Sequence, residues 1–351
     1  MPTTSSPVVR KARTEARESA VVATAVTTTA ALEQLAPEWE TLWIAARASP
    51  FQSPAWLLPW WTHLGRGDLT SVALRCERTG ALVGLAPLYV YRDRASGQRH
   101  LFPLGIATTD RLDVLVAPGW EHAAGHALAE HLAASHGRWD VLEAPQLADG
   151  ACLLSMPWSR AWTRDVTAAD INPVLHLPAR IPPSMARDLA YCRRRAARAG
   201  DVAYELADER SLPAWLDTLE RLHAQRWALR GLPGVLRGEG VMAWHRDTAP
   251  RLLRAGLLRL LGLRIDGGPI AVLYVLADAP HAPQRRWSYY IGGFDPAAAI
   301  LSPGTLLVGE AIDRAQAEGA VVFDFLRGAE PYKLRWGAVP QPMWTLRLRP
   351  A

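Results

Sequence analysis

Two stretches of this 351-residue chain, starting at Arg75 and at Leu263 and so 188 positions apart, are built on one plan. RCERTGALVGLAPLYV reads as a charged strand, a glycine turn and an apolar strand, and LRIDGGPIAVLYVLA repeats it. Each hairpin is followed by a loop, an alanine-rich helix and a strand. The first helix falls around residues 121–136 with its strand at 139–143, the second around 303–318 with its strand at 321–325. An internal repeat narrows the fold more than composition does, because each copy must be a unit that buries its own apolar face. Two copies of one α/β unit is the simplest chain that satisfies it, although helix–strand alternation alone fits several α/β topologies. The length allows two cores, and a hydrophobic content of 49% suits a globular protein.

The second copy carries the densest local signals. Residues 289–291 are apolar enough for a strand, which Gly292 and Gly293 break, and a loop then passes Asp295 and Pro296 to Ser302, Pro303, Gly304 and Thr305. Serine is a favoured N-cap and proline a favoured first-turn residue, so a helix starts there. Leu306, Leu307, Ala311, Ile312 and Ala315 recur at helical spacing and Gly319 stops the run. Residues 320–325 read as a buried strand, followed by a cluster of Asp324, Arg327, Glu330, Tyr332, Lys333 and Arg335. The helix start offers free N–H groups and the positive end of a dipole, which suit a pyrophosphate; an ordinary capped helix has the same sequence.

Other features exclude function classes. No apolar stretch approaches the roughly 20 residues of a membrane span. The first twenty residues lack the apolar core of a secretory signal and read as a floppy tail. Cys76, Cys152 and Cys192 are scattered, which argues against a disulfide framework or a zinc site and favours a reducing cytoplasm. A net charge of +5 matters only where it concentrates, as in ARDLAYCRRRAARAG over 186–200. That predicted helix either grips a phosphate-bearing substrate or is a solvated face. No sequence signature of nucleic-acid readers is present. Most of the fifteen tryptophans, including Trp39, Trp43, Trp56, Trp60 and Trp61, are expected in the core. On a predicted helix over 212–229, His223 and Arg226 lie three apart with Trp227 beside them. Arg226 either grips a carboxylate or phosphate or pairs with an acid such as Glu220.

GFDP at 293–296, SPG at 302–304 and DFLRGAEPYKLRW at 324–336 resemble the GNAT-like acyltransferases of the CelD/BcsL group, related to FemAB-type transferases. FQSPAWLLPWW, VGLAPLY and TTDRLDVLVAPG in the front half are similar to that family's aromatic entry, strand and aspartate segment, so the resemblance covers nearly everything after about residue 30. It implies an α/β fold of mixed sheets in two tandem GNAT-like domains, expected at 21–178 and 179–351 behind a disordered tail at 1–20.

The resemblance also implies direct acyl transfer from acyl-CoA, acetyl-CoA or a longer thioester, to an amine of a small molecule or a sugar or cell-envelope precursor. No metal is implied. Such chemistry needs a donor held by its phosphates, a deprotonated amine and a polarised carbonyl, and the chain shows no nucleophile motif for a covalent intermediate. The roles implied are catalytic for Asp110, Tyr332 and Glu330: Asp110 as base, Tyr332 as proton donor to the leaving thiolate, Glu330 as alternative base or partner of Lys333. Donor phosphates are assigned to Ser302, Pro303, Gly304 and Thr305, although ILSPGT departs from the usual Q/R-x-x-G-x-G/A loop. Substrate contacts are assigned to Arg226, Trp227, Asp113, Arg327 and Lys333, with an Asp324–Arg327 ion pair as a structural alternative. The resemblance leaves two further readings: a FemAB-like transferase using aminoacyl-tRNA, and a non-catalytic binding protein of exopolysaccharide synthesis.

Overall fold

A computed structural model describes residues 20–160, 162–280 and 282–350; the expected tail therefore lies almost wholly outside the described residues. In chain order the first part holds β1 (Val21–Val26), α1 (Thr29–Gln34), α2 (Ala36–Ala45), α3 (Pro54–Leu64), β2 (Asp68–Leu69), β3 (Ser71–Cys76), β4 (Leu82–Ala86), β5 (Leu88–Arg92) and β6 (Arg99–Pro103). It continues with β7 (Leu115–Val116), α4 (Glu121–Ala134), β8 (Val141–Ala148), α5 (Cys152–Ser155) and β9 (Trp162–His176). Then come α6 (Pro183–Ala199), β10 (Val202–Leu206), α7 (Leu212–Ala228), α8 (Val241–Arg254), β11 (Leu258–Ile265), β12 (Gly268–Ala277), β13 (Arg286–Phe294), α9 (Pro303–Ala317), β14 (Val322–Asp324), α10 (Pro331–Arg335) and β15 (Val339–Pro350).

The chain divides into two compact units, Met1–Asp170 with Pro342–Ala351, and Ile171–Gln341. The boundary expected at 178/179 falls slightly earlier, at 170/171, and the C-terminus leaves the second unit. The physical reason is strand pairing: β15 runs antiparallel to β8, with Met343 opposite Ala148 and Leu348 opposite Leu142.

In the first unit, β1, β3, β4 and β7 form one sheet and β8, β6, β5 and β2 lie together in another. Both sheets close over one apolar cluster that includes Leu74, Leu128, Leu142, Trp139 and Leu346. Trp39, Trp43, Trp56 and Trp60 are all buried, as their number and spacing suggested, and the first three spend their indole N–H groups on Gln52 O, Ser49 O and Thr109 Oγ1.

In the second unit the hairpin of β11 and β12 turns through Asp266 and Gly267, with φ of 47° and 76°. Positive φ at both central residues matches the twist of the flanking strands. The sheet runs β10, β11, β12, β13, β14, β9, with β14 parallel to β13 and antiparallel to the end of β9. Helices α6 and α9 cover one face; a Cβ on Gly309 would sit 2.8 Å from Leu189 Cδ1, so the missing side chain allows the close crossing. Leu189, Leu261, Leu273, Leu307, Ile312 and Phe323 belong to the core between them.

Candidate active site

Two strands open a slot in the second unit. β13 and β14 pair only where Arg286, Trp287 and Ser288 face Val322, Phe323 and Asp324. Beyond Asp324 the chain follows the other side, Phe325 N–H donating to Pro173 O and Gly328 N–H to Ile171 O. The edge of β13 over 289–294 is therefore left without a strand neighbour. Across from it, β12 and β13 shift register between Tyr274 and Val275, whose partners are Ile291 and Tyr289, so Tyr290 is the extra residue of a bulge. Bulges re-aim backbone groups and commonly adjoin active sites. The slot opens into a pocket of about 180 Å³ whose lining includes Arg226, Tyr289, Gly292, Gly293, Gly304, Thr305 and Tyr332, with Met185, Leu273, Leu307 and Trp336 among its apolar walls. Gly293 has a packing reason: a Cβ there would lie 2.6 Å from the backbone nitrogen of His223.

Helix α9 begins at the pocket, with Gly304 and Thr305 in its lining and no acidic residue in its first turn. Ser302 stands at the N-cap position with φ of 54°, yet its hydroxyl makes no capping bond. It accepts instead from Arg195 Nη2 of α6 at 3.0 Å. The basic helix expected over 186–200 thus reaches the start of α9 through Arg195, while Arg193 pairs with Asp313 at 2.6 Å. Neither contact was legible locally, since both join positions more than a hundred residues apart.

The polar groups of the pocket form a chain. The Tyr332 and Tyr289 hydroxyls are hydrogen-bonded to each other, and Arg226 also contacts Tyr289. The Arg226 guanidinium lies 5.0 Å from the Phe294 ring centroid. Its alternative partner Glu220 is taken by Arg246 at 2.7 Å, and no carboxylate pairs with Arg226 among the described residues. Burial, then the neighbouring Tyr289 and Glu330, raise Tyr332 well above an ordinary phenol; burial likewise raises Tyr289, with Arg226 opposing it. Behind this chain sit two neutral imidazoles. Burial lowers His223 to about 4, helped by Arg226, and lowers His245 to about 3, helped by His223. Tyr289 was read only as a strand residue; its place before the glycine pair was the available signal.

Several expected contacts turn out differently. Lys333 is buried, and its ammonium donates to Leu326 O, Arg327 O and Gly328 O at 3.1, 2.6 and 3.3 Å while pairing with Glu330 at 2.9 Å. Its donors are consumed by the loop after β14, so it is a brace and not a substrate anion contact. The fully buried Asp324 pairs with Arg286 at 2.7 Å and accepts from Leu326 N–H at 2.8 Å. These bonds fix the loop where it diverges from β13. Arg327 and Glu330 are exposed on that loop and at its end. Trp227 is not in the pocket lining; its ring lies 5.9 Å from that of His223 and 5.3 Å from the Arg230 guanidinium.

Asp110 and Asp113 belong to the first unit and do not line this pocket. Asp110 is buried. Asp113 accepts from the N–H groups of Cys152 and Leu153 at 2.7 and 3.0 Å, which caps α5, and burial raises it to about 6. That capping role replaces the substrate contact expected of it.

Residues 183–334 match the acetyltransferase (GNAT) domain family. The match falls within the second unit, which is similar to a GNAT acetyltransferase domain, and the protein is an acyltransferase. No curated protein sequence matches the chain. Among solved structures, FemX is similar at 10% identity and a TM-score of 0.61, over 92% of this chain and 96% of its own. The C-terminal domain of a putative lysylphosphatidylglycerol synthetase from Agrobacterium fabrum is similar at 12% identity and 0.59, over 91% and 92%. A protein from Bacteroides thetaiotaomicron VPI-5482 matches at 11% and 0.61, over 93% and 100%. Such likeness speaks of fold alone: two tandem GNAT-like α/β units.

Proposed function

We propose that the second unit binds acyl-CoA in the slot beside β13 and passes its acyl group directly to an amine of a small molecule or of a sugar or cell-envelope precursor. The observation that carries this reading is the divergence of β14 from β13 over a pocket that ends at the start of α9. An extended, amide-bearing donor arm fits against the unpaired edge over 289–294, and its phosphates fit the first-turn N–H groups of α9 beside Arg195. The apolar walls suit an acyl chain and exclude water.

In the reaction, the amine attacks the thioester carbonyl, whose oxygen is polarised by a backbone N–H of the β13 edge. The C–S bond breaks and the sulfur leaves as a thiolate. Tyr332 turns its hydroxyl from Tyr289 to that sulfur. With its acidity so far suppressed, it stabilises the thiolate by hydrogen bonding and does not give up its proton completely. Glu330, at the N-cap of α10 just before Tyr332, takes the amine proton, which Glu330→Gln tests. Arg226 orients the acceptor through a carboxylate or phosphate. A covalent intermediate finds no support in the cysteines, since burial raises the Cys152 thiol to about 12 and Cys76 and Cys192 are buried. The CelD/BcsL assignment belongs to this proposal and rests on the GFDP, SPG and DFLRGAEPYKLRW segments. So does a cytoplasmic setting, which the three scattered cysteines favour.

The test is a thermal-shift titration with CoA, acetyl-CoA and a longer acyl-CoA. At a hundred times Kd the ligand adds about 2.7 kcal/mol, which for a unit this size raises Tm by about 5 to 10 °C. No shift with any CoA species would remove the reading. The likeness to FemX and the arginines of α6 favour one second reading, aminoacyl transfer from tRNA, for which salt-sensitive tRNA binding without CoA binding is the signature. CoA binding without turnover on any acceptor would instead fit a non-catalytic binding protein.

A further inference from the structure

Between α7 and α8 the chain presents a largely apolar loop. Leu229, Leu232 and Val235 are 76%, 50% and 64% exposed, although Leu236 beside them is buried at 2%. The loop is held in shape: Arg230 N–H and Leu232 N–H donate to Trp227 O, Gly231 N–H to Ala228 O and Arg237 N–H to Gly234 O, at 2.9, 3.1, 3.0 and 3.2 Å. Gly234 packs on His223 and Trp227, where a Cβ would come within 2.6 Å of the imidazole. The three side chains are therefore displayed from an anchored backbone rather than left over from an unfinished core. From 221 to 240 the sequence has arginine at 221, 226, 230 and 237 against a single acid, Glu239. Arg230 and Arg237 are exposed, and the nearby acids Asp217 and Glu220 are engaged by Arg246 at 3.0 and 2.7 Å. Apolar tips flanked by cations in excess of the nearby acids are the chemistry of an interfacial anchor, which combines apolar insertion with attraction to anionic headgroups.

We propose that the 229–237 loop docks on an anionic lipid surface, its apolar tips entering the headgroup–acyl boundary while Arg230 and Arg237 meet lipid phosphates. Attachment through such a loop is peripheral and salt-sensitive. Arg226, one helical turn before Leu229, lines the pocket, so docking brings the site to the membrane surface.

The experiment is vesicle co-sedimentation of the full chain, with phosphatidylcholine alone and with phosphatidylcholine containing phosphatidylglycerol, at low and high salt. Binding to the anionic vesicles only, weakened by salt, is expected. Replacing Leu229, Leu232 and Val235 together by Ser lowers partitioning by about tenfold or more, and Arg230→Gln with Arg237→Gln lowers it by about fivefold per charge. Both variants change exposed positions and keep the wild-type Tm. Absence of wild-type binding to anionic vesicles at low salt, equal binding to neutral vesicles, or binding that survives both variants overturns the proposal. Concentration-dependent dimerisation without vesicles, lost in the apolar variant, would assign the surface to a second copy of this chain and overturn it equally.

Discussion

The two units start from one plan and differ at the place where a donor could enter. In the second unit, β12 is continuous, β13 is bulged at Tyr290, and the segment after β13 leads into a helix whose first turn holds no acid. In the first unit the corresponding strand breaks at Pro87 into β4 and β5, which join different sheets. The segment after β6 turns inward: Leu104, Leu112 and Val114 are buried, Thr109 takes the Trp56 indole N–H, and Asp113 caps α5. Helix α4 then begins with the buried Trp120 and the acid Glu121, a start that repels anions. One copy filled its interior with its own side chains, and the other kept a slot and an anion-compatible helix start. A shared sequence plan therefore locates two domains, of which only the second has the slot proposed for the donor.

The largest way to break this contrast is to remove the brace that keeps β14 from β13. Lys333→Met leaves three carbonyls without their donor, and we expect a loss of about 3 kcal/mol, a fall in Tm of about 6 to 12 °C and loss of any CoA-induced shift. A Tm within a degree or two of wild type would show that the loop holds its course without Lys333.

Acid should act on the two units in opposite directions. His223 and His245 have folded values of about 4 and 3, below the ordinary 6.5, so the unfolded chain binds protons first. Their contribution is complete above pH 6.5 and fades as pH falls toward 4, by on the order of 3 kcal/mol for each imidazole at about 1.4 kcal/mol per unit. Asp113 is raised to about 6 from 3.8, so its contribution is complete below 3.8 and is lost as pH rises through 6. Hydrogen exchange between pH 7 and 4.5, normalised for intrinsic rates, should show protection falling around α7 and α8 and holding or rising around α5. Parallel loss in both would contradict this assignment.

Two functional effects are smaller. Tyr332→Phe should lower kcat about tenfold with KM little changed, and wild-type turnover would exclude the hydroxyl from the reaction. Thr305→Glu gives α9 the kind of acidic start that α4 has while favouring the helix itself. It should weaken acyl-CoA binding by about five- to tenfold, whereas Glu121→Gln should leave donor binding unchanged; calorimetric titration of the two separates them.

Local patterns were readable from the sequence. The hairpin turns, the proline-glycine start of α9, helix α7 and the burial of four front tryptophans all follow from spacing and residue chemistry. Long-range partners were not. Ser302 looks like an N-cap but serves Arg195, and Lys333 looks like a free cation but is spent on Leu326, Arg327 and Gly328. The return of β15 to the first unit depends on pairing with β8, which no local pattern announces.

The central claim is that the donor lies in the slot beside β13, and the most direct test is a crystal structure of the full chain with acetyl-CoA. The donor arm should lie along the 289–294 edge, with its phosphates at the first turn of α9 within reach of Arg195 and its sulfur beside Tyr332. A donor bound in the first unit, or a slot that stays closed to it at saturating concentration, would contradict it.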